Sequence, residues 1–206
     1  MWSDQVISMM IQGIWETIYM TVISTFAGYV IGLPMGIALT VTDKDGIRPN
    51  AAVYKVLDVI SNLVRSIPFI ILLVILIPFT RLVAGQSYGS KATIVPLVIA
   101  AAPYIARMVE SSLKEVDPGV IEAARSMGAS DVTIIVKVML VEARTSLIVG
   151  ATIALGTILG YSAMAGTIGG GGLGDIAMRY GYYRYQADIM IIAVVLLVLL
   201  VQILQV

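Results

Sequence analysis

The sequence predicts an all-α, polytopic membrane protein with five transmembrane helices and one amphipathic helix held outside the bilayer. Three observations lead there. Of 206 residues, 59% are hydrophobic and 13% charged, against about 25% charged in a soluble domain. Five apolar runs approach or exceed the ~20 residues that a helix needs to cross a bilayer, and lipid admits only helices or closed barrels. One stretch, 117–141, reads DPGVIEAARSMGASDVTIIVKVMLV and breaks the apolar pattern. Mean hydropathy is +0.96. The chain 1–206 therefore reads as a single transmembrane domain, with 117–130 as a distinct element inside it. Net charge is zero, so no basic footprint for nucleic acid is present. Cys and His are both absent, which removes disulfides, thiolate chemistry and the usual transition-metal ligands, and no cofactor is expected. No Lys or Arg precedes Glu16 and no small-residue cleavage site follows a short apolar core, so no cleaved signal peptide is expected.

In order, Met1–Gln12 reads as a short amphipathic lead-in, with Trp2 and Trp15 as interfacial anchors. The first span runs from Thr17 to Val41 and carries Gly28, Gly32 and Gly36 at four-residue spacing. Such a stripe lets another helix approach closely, so it is expected to face protein. The plainer alternative is glycine merely tolerated in a membrane helix. Pro34 is expected to kink this span. Thr42–Lys55 is a polar loop. The second span, Leu57–Phe79, holds Asp58, Asn62, Arg65 and Ser66 in its first turns, and Pro68 breaks its hydrogen-bond ladder. Arg65 is read as snorkelling to the interface, with an ion pair inside the bundle as the alternative. Thr80–Lys91 is a short loop. The third span, Ala92–Met108, contains Pro96 and Pro103 and runs on into a polar helix, Val109–Val116. The fourth span rises from Val138 to Met164 with Gly150, Gly156 and Gly160. Gly166–Gly174 is glycine-rich, and Asp175–Gln186 is polar and rich in tyrosine. The last span, Ala187–Val206, reaches the chain end without the expected basic flank, as a sequence cut short would.

Basic residues set the orientation. Lys44, Arg48, Lys55, Arg107, Lys114, Arg125 and Lys137 lie on one side; Arg81, Lys91, Arg179 and Arg184 lie on the other. Seven against four, with Arg65 and Arg144 adding to the first side, predicts the N-terminus outside and the C-terminus in the cytoplasm. The 117–130 element is then cytoplasmic. Asp117 is placed to cap a helix and Pro118 suits its first position. Val120, Ile121, Ala124 and Met127 recur at helical spacing as one apolar stripe, and Glu122, Arg125 and Ser126 fall off it. Gly128 ends the helix in the left-handed conformation. Ser130 can cap the helix that follows.

From Glu122 the sequence reads Glu-Ala-Ala, three residues, Gly128, nine residues, then Val138-Met139-Leu140-Val141. This resembles the EAA loop of bacterial ABC importer permeases, E-A-A-x3-G-x9-I-x-L-P. Glu122, Ala123, Ala124, Gly128 and Leu140 match; Val138 stands in for Ile, and Val141 departs where the pattern has Pro. The stretches RSIPFIILLVILIPFTR, IVPLVIAAAPYIARMVE and ILGYSAMAGTIGGGGLGD extend the resemblance to the permease subunits of methionine importers, which also have five spans. The resemblance implies that the element at 117–130 is a cytoplasmic coupling helix, with Glu122, Ala123, Ala124, Gly128 and Leu140 coupling to a separate ATPase. It implies partners: a second copy of the chain, two ATPase subunits, and a periplasmic or lipid-anchored methionine-binding protein. It implies a multi-pass protein of the bacterial inner membrane that imports methionine and is not itself an enzyme.

The chain carries no nucleotide site of its own. GTIGGGGLGD is glycine-rich but lacks the Gly-Lys-Ser/Thr that holds phosphates. It is read as a flexible connection or re-entrant turn, or alternatively as a contact for the binding protein. Tyr161, Ser162 and Met164 are candidates for the translocation path or its gate, and simple packing is the alternative for Met164. Rival functions are an importer permease for another amino acid or small solute, an intramembrane enzyme, and a proton-coupled transporter. The enzyme lacks a His, a Ser–Lys pair or paired Asp residues inside the spans. The proton-coupled transporter lacks ionisable residues in mid-span.

Overall fold

The computed structural model describes residues 4–205, all helices and connections, with no strand among them. Trp2, expected as an anchor, and Val206 lie outside the described residues. Helix α1 (Asp4–Thr42) runs for 39 residues, unbroken through Pro34. The expected lead-in is thus already helical from Asp4, because nothing between it and Thr17 stops a helix. Trp15 is exposed.

The loop after α1 is shorter than expected. Asn50 Oδ1 accepts the Val53 N–H at 3.1 Å, which starts α2 (Ala51–Ser66) inside the stretch read as loop. The second span does not form as one helix. It stops at Ser66, and Pro68 opens α3 (Phe69–Ile75) as its N-cap with ψ 133°. Proline lacks an N–H and pushes the preceding residue away from helical geometry, so the ladder cannot cross it. Helix α4 (Ile77–Ala84) then takes in the end of the expected second span and the first part of the expected second loop, and ends at Gly85. Helix α5 (Ser90–Lys114) is continuous and includes the polar extension expected beyond Met108 as far as Lys114, two residues short of Val116.

The fourth span begins later than Val138. Helix α6 (Pro118–Ser126) is followed by α7 (Asp131–Thr133), a π-helical segment Ile134–Met139 and α8 (Leu140–Glu142). A turn at Ala143 precedes α9 (Arg144–Ala165). The helix passes through Val141, where the resembled motif has proline, and the interruption falls two residues on. Then come a 3₁₀ turn (Gly166–Ile168), α10 (Gly172–Ile176), a second π segment (Ala177–Tyr182) and α11 (Ala187–Gln205). Among the described residues, four helical stretches are long and apolar enough to cross a membrane, or five when the bent pair α2 with α3 is counted as one span.

The chain forms two compact units. One comprises the described parts of Met1–Ala27, Ile67–Ala101 and Ile153–Val206. Its core includes Met10, Leu173, Ile176, Ala177, Ile189 and Ala193. The glycine-rich segment is packed into this unit as a hydrogen-bonded turn. Gly169, Gly171 and Gly172 all take positive φ, which only glycine adopts readily. Glu16 Oε2 accepts the Gly172 N–H at 2.8 Å and Thr17 Oγ1 accepts the Leu173 N–H at 2.9 Å. Gly89 donates to the Gly169 carbonyl at 2.8 Å.

The other unit is Gly28–Ser66 with Ala102–Thr152. Here α1 meets α5 through its glycine stripe. A Cβ on Gly32 would lie 2.6 Å from the Ala102 carbonyl and 2.9 Å from Ile105 Cβ, and one on Gly36 would lie 2.6 Å from Val109 Cβ. Gly28 is buried as well. Such contact, backbone against backbone, is how small residues join membrane helices.

Candidate functional site

The site is built on α6, in the second unit. Asp117 accepts the Gly119 N–H at 2.7 Å, and Pro118 takes the first helical position, so the start of the helix is capped as the sequence predicts. Gly128 takes φ +82° and ends it. Ser130 caps α7 by accepting the Thr133 N–H at 3.3 Å.

Only one edge of α6 packs against its own chain. Ala124 is 5% exposed, and Ile121 is half-buried. Glu122 and Ala123 stand exposed, as does Val120, and Met127 is 81% exposed. The apolar stripe is therefore split. Ala124 keys the helix to the protein, while Met127 carries a flexible apolar side chain into solvent. The two alanines of the motif do different things: the small size of Ala124 serves packing within the chain, and that of Ala123 leaves the outer face low. Leu140 is half-buried in α8, between buried Met139 and exposed Val141.

Two contacts tie this region to the loop after α1. Arg125 Nη2 donates to the Ile47 carbonyl at 2.9 Å, and Arg48 pairs with Asp131. Between that loop, the end of α5 and α6 lies a cleft of about 540 Å³ lined by both signs of charge, including Asp43, Lys114, Glu122 and Arg125.

Behind the cleft is an ion-pair network that reading along the chain missed. Glu110 of α5 is 5% exposed. It pairs with Arg107 at 2.7 Å and with Lys114 at 2.8 Å. Arg107 also pairs with Asp58 of α2. Lys114 reaches Asp43 at 2.6 Å. Its hydrogen bond is the largest influence holding the Asp43 carboxyl below the ordinary carboxylate value; partial burial opposes it and the Lys44 N–H assists. The signal was present as Arg107, Glu110 and Lys114 at spacings of three and four, one face of a helix. Arg65, the cation weighed for a bundle ion pair, is exposed in the last turn of α2.

The gate candidates divide. Ser162 is 1% exposed and its hydroxyl donates to the Leu159 carbonyl at 2.7 Å, so it is committed to its own helix. Tyr161 stacks on Phe69, with centroids 4.4 Å apart and planes 12° from parallel. Met164 is 45% exposed, one turn from Tyr161. Tyr161 and Met164 thus share an edge of α9 that Ser162 does not.

Known proteins carry the same pattern. Residues 28–206 match the family described as binding-protein-dependent transport system inner membrane component. A probable D-methionine transport system permease protein of Vibrio cholerae is 48% identical over 191 residues, covering 93% of this chain and 85% of that protein. The D-methionine transport system permease protein of Escherichia coli K12 is 52% identical over 164 residues, covering 80% and 76%. A solved methionine ABC transporter in an inward-facing conformation contains a chain that superposes with a TM-score of 0.97 at 51% identity, covering 99% of this chain and 94% of that one. An amino acid ABC transporter at 20% identity and TM-score 0.73 shares the fold.

Proposed function

Because this chain belongs to the family of binding-protein-dependent transport system inner membrane components, we propose that it is the permease subunit of an ATP-driven methionine importer and that α6 receives the driving force. The relatives named for D-methionine transport supply the substrate class. The observation that carries the coupling reading is the divided surface of α6. Ala124 fixes the helix to the membrane protein, while Glu122, Ala123 and Met127 face outward. A rigid, capped helix presented in this way suits docking on a separate ATPase. Glu122 offers a carboxylate for charge-assisted bonds, and Met127 offers a conformable apolar contact.

In the assembled importer, two copies of this chain bind two ATPase subunits, and a methionine-binding protein delivers solute from outside. The N-terminus is outside and the C-terminus cytoplasmic in the inner membrane, which places α6 on the ATPase side. Tyr161 and Met164 line the path, which needs no charged solute ligand because recognition belongs to the binding protein.

The test is co-purification with the ATPase followed by uptake in vesicles. The complex is expected to import methionine on ATP addition and to resist competition by unrelated amino acids. Glu122→Ala together with Met127→Ala is expected to weaken ATPase retention. Retention at the wild-type level removes α6 as the docking helix, and preferential uptake of another solute removes methionine as the substrate.

A further inference from the structure

Glu110 has no obvious place in docking or in a solute path, yet it is among the most buried charged residues described. Its two oxygens are held by different cations: Oε2 by Arg107 Nη1 at 2.7 Å and Oε1 by Lys114 Nζ at 2.8 Å. Those cations lead to different elements. Arg107 reaches Asp58 and donates to Asn62 Oδ1 at 3.0 Å, both on α2. Lys114 reaches Asp43 in the loop after α1. That same loop holds α6 through Arg125 to the Ile47 carbonyl, and α7 through Arg48 to Asp131. A series of polar contacts, continued through the loop backbone between Asp43 and Ile47, therefore runs from the docking helix to α2, and Glu110 is its middle member.

We infer that Glu110 is a positioning residue for energy coupling, the node through which displacement of α6 is passed to α2. The inference rests on the reading of α6 as the docking helix. Apolar surfaces slide against each other with little directional preference. A buried carboxylate between two cations does not, because moving either cation leaves charges unpaired at low dielectric. The outer pair, Arg48 with Asp131, has an arginine 78% exposed and holds weakly; the stiff part is the buried centre. The opposite face of α2 carries Val53, Val56, Ile60 and Leu63, all exposed. The ion pair therefore holds α2 on the side away from that apolar stripe, and what moves Arg107 moves the stripe.

The test uses the assembled transporter with its ATPase and binding protein in liposomes, and reads methionine imported per ATP hydrolysed. Glu110→Gln keeps the shape and removes the charge. The complex is expected to assemble and hydrolyse ATP at near the wild-type rate, with uptake per ATP falling about tenfold, within the range for losing one member of a coupling network. Lys114→Met, which keeps the length of the side chain and removes one of the two cations on Glu110, is expected to lower the ratio in the same way. An unchanged ratio in assembled Glu110→Gln overturns the inference. If that variant does not assemble, Lys114→Met decides, and an unchanged ratio in it overturns the inference equally. Variants at Glu122 and Met127 separate the two readings: if they uncouple or detach the ATPase while Glu110→Gln does not uncouple, docking stands and the node falls. If they retain both the ATPase and the ratio, the docking reading has failed first.

Discussion

Thr17 of α1 accepts the N–H of Leu173 at the start of α10, 156 residues away, at 2.9 Å. Both residues are buried. The same hydroxyl donates to the Gly13 carbonyl at 2.8 Å, so one side chain satisfies a donor and an acceptor. Replacing it with valine preserves the shape and strands the Leu173 N–H, at a cost of about 1–3 kcal/mol. Thr17→Val is expected to lower the melting temperature of the detergent-solubilised complex by several degrees, and Thr17→Ser to recover most of the loss. A Val variant that melts with the wild type removes this bond from the stabilising set.

The glycine stripe gives a sharper contrast. Gly36 faces the backbone of α5, whereas a Cβ on Gly160 meets nothing within 4 Å. Gly36→Ala is expected to cost about 1–3 kcal/mol by overpacking, and Gly160→Ala to be neutral or slightly stabilising as a helix-interior exchange. Thermal unfolding of the two variants side by side checks the assignment.

On α6, the neighbouring alanines predict opposite phenotypes. Ala124→Leu intrudes into the chain's own packing and is expected to lower stability. Ala123→Leu builds on the exposed face; it is expected to leave melting unchanged while weakening ATPase retention. Removing the cap with Asp117→Ala costs about 1 kcal/mol and is expected to speed amide exchange over 118–123. Gly128→Ala forces an alanine to φ +82°, costing about 1–2 kcal/mol. It is expected to reduce uptake per ATP with insertion intact.

Acid should loosen the joint between α5 and the loop after α1. Asp43 has its carboxyl held below the ordinary value, chiefly by Lys114. The folded state thus binds that proton more weakly than the unfolded state. The stabilisation is whole above the ordinary carboxylate value of about 3.9 and is lost as pH falls through the lower folded value. Between about pH 5 and pH 3, the wild type is expected to lose more melting temperature than Asp43→Asn. Parallel loss in both shows that other carboxylates dominate.

At the Tyr161–Met164 edge, Met164→Ala removes the exposed side chain without touching the Tyr161–Phe69 stack. Raised basal ATP hydrolysis or solute leak is expected if this edge closes the path. Unchanged values assign Met164 to ordinary packing.

Much of this arrangement was written locally in the chain. The Asp117–Pro118 start, the Gly128 stop and the Ser130 cap are signals within one turn of the atoms they serve, and each formed as expected. The Gly32–Gly36 stripe was legible because four-residue spacing fixes one helix face. The errors came where continuity was read from hydropathy alone. The break at Pro68 was legible, because proline cannot continue the ladder; the fourth span was carried down to Val138, whereas α9 waits until Arg144 because the π segment and the turn at Ala143 intervene. Partners far apart in the chain were not legible: nothing near Glu16 or Thr17 announces the backbone of Gly172 and Leu173, and Asp58 does not announce Arg107. Ser162 reads as a polar path residue, yet its hydroxyl is taken by the preceding turn, as hydroxyls in membrane helices often are.

The two compact units close at different moments of synthesis. The unit built from Gly28–Ser66 and Ala102–Thr152 has every strand of its ion-pair network once Thr152 has been made. The other draws on the first, middle and last parts of the chain. Its α1 arrives with Glu16 and Thr17 and waits for a backbone that leaves the ribosome more than 150 residues later. Until then a carboxylate and a hydroxyl stand at the head of a membrane helix without their intended partners, and a chain stalled after Thr152 keeps its coupling region complete while its N-terminal end stays unsealed.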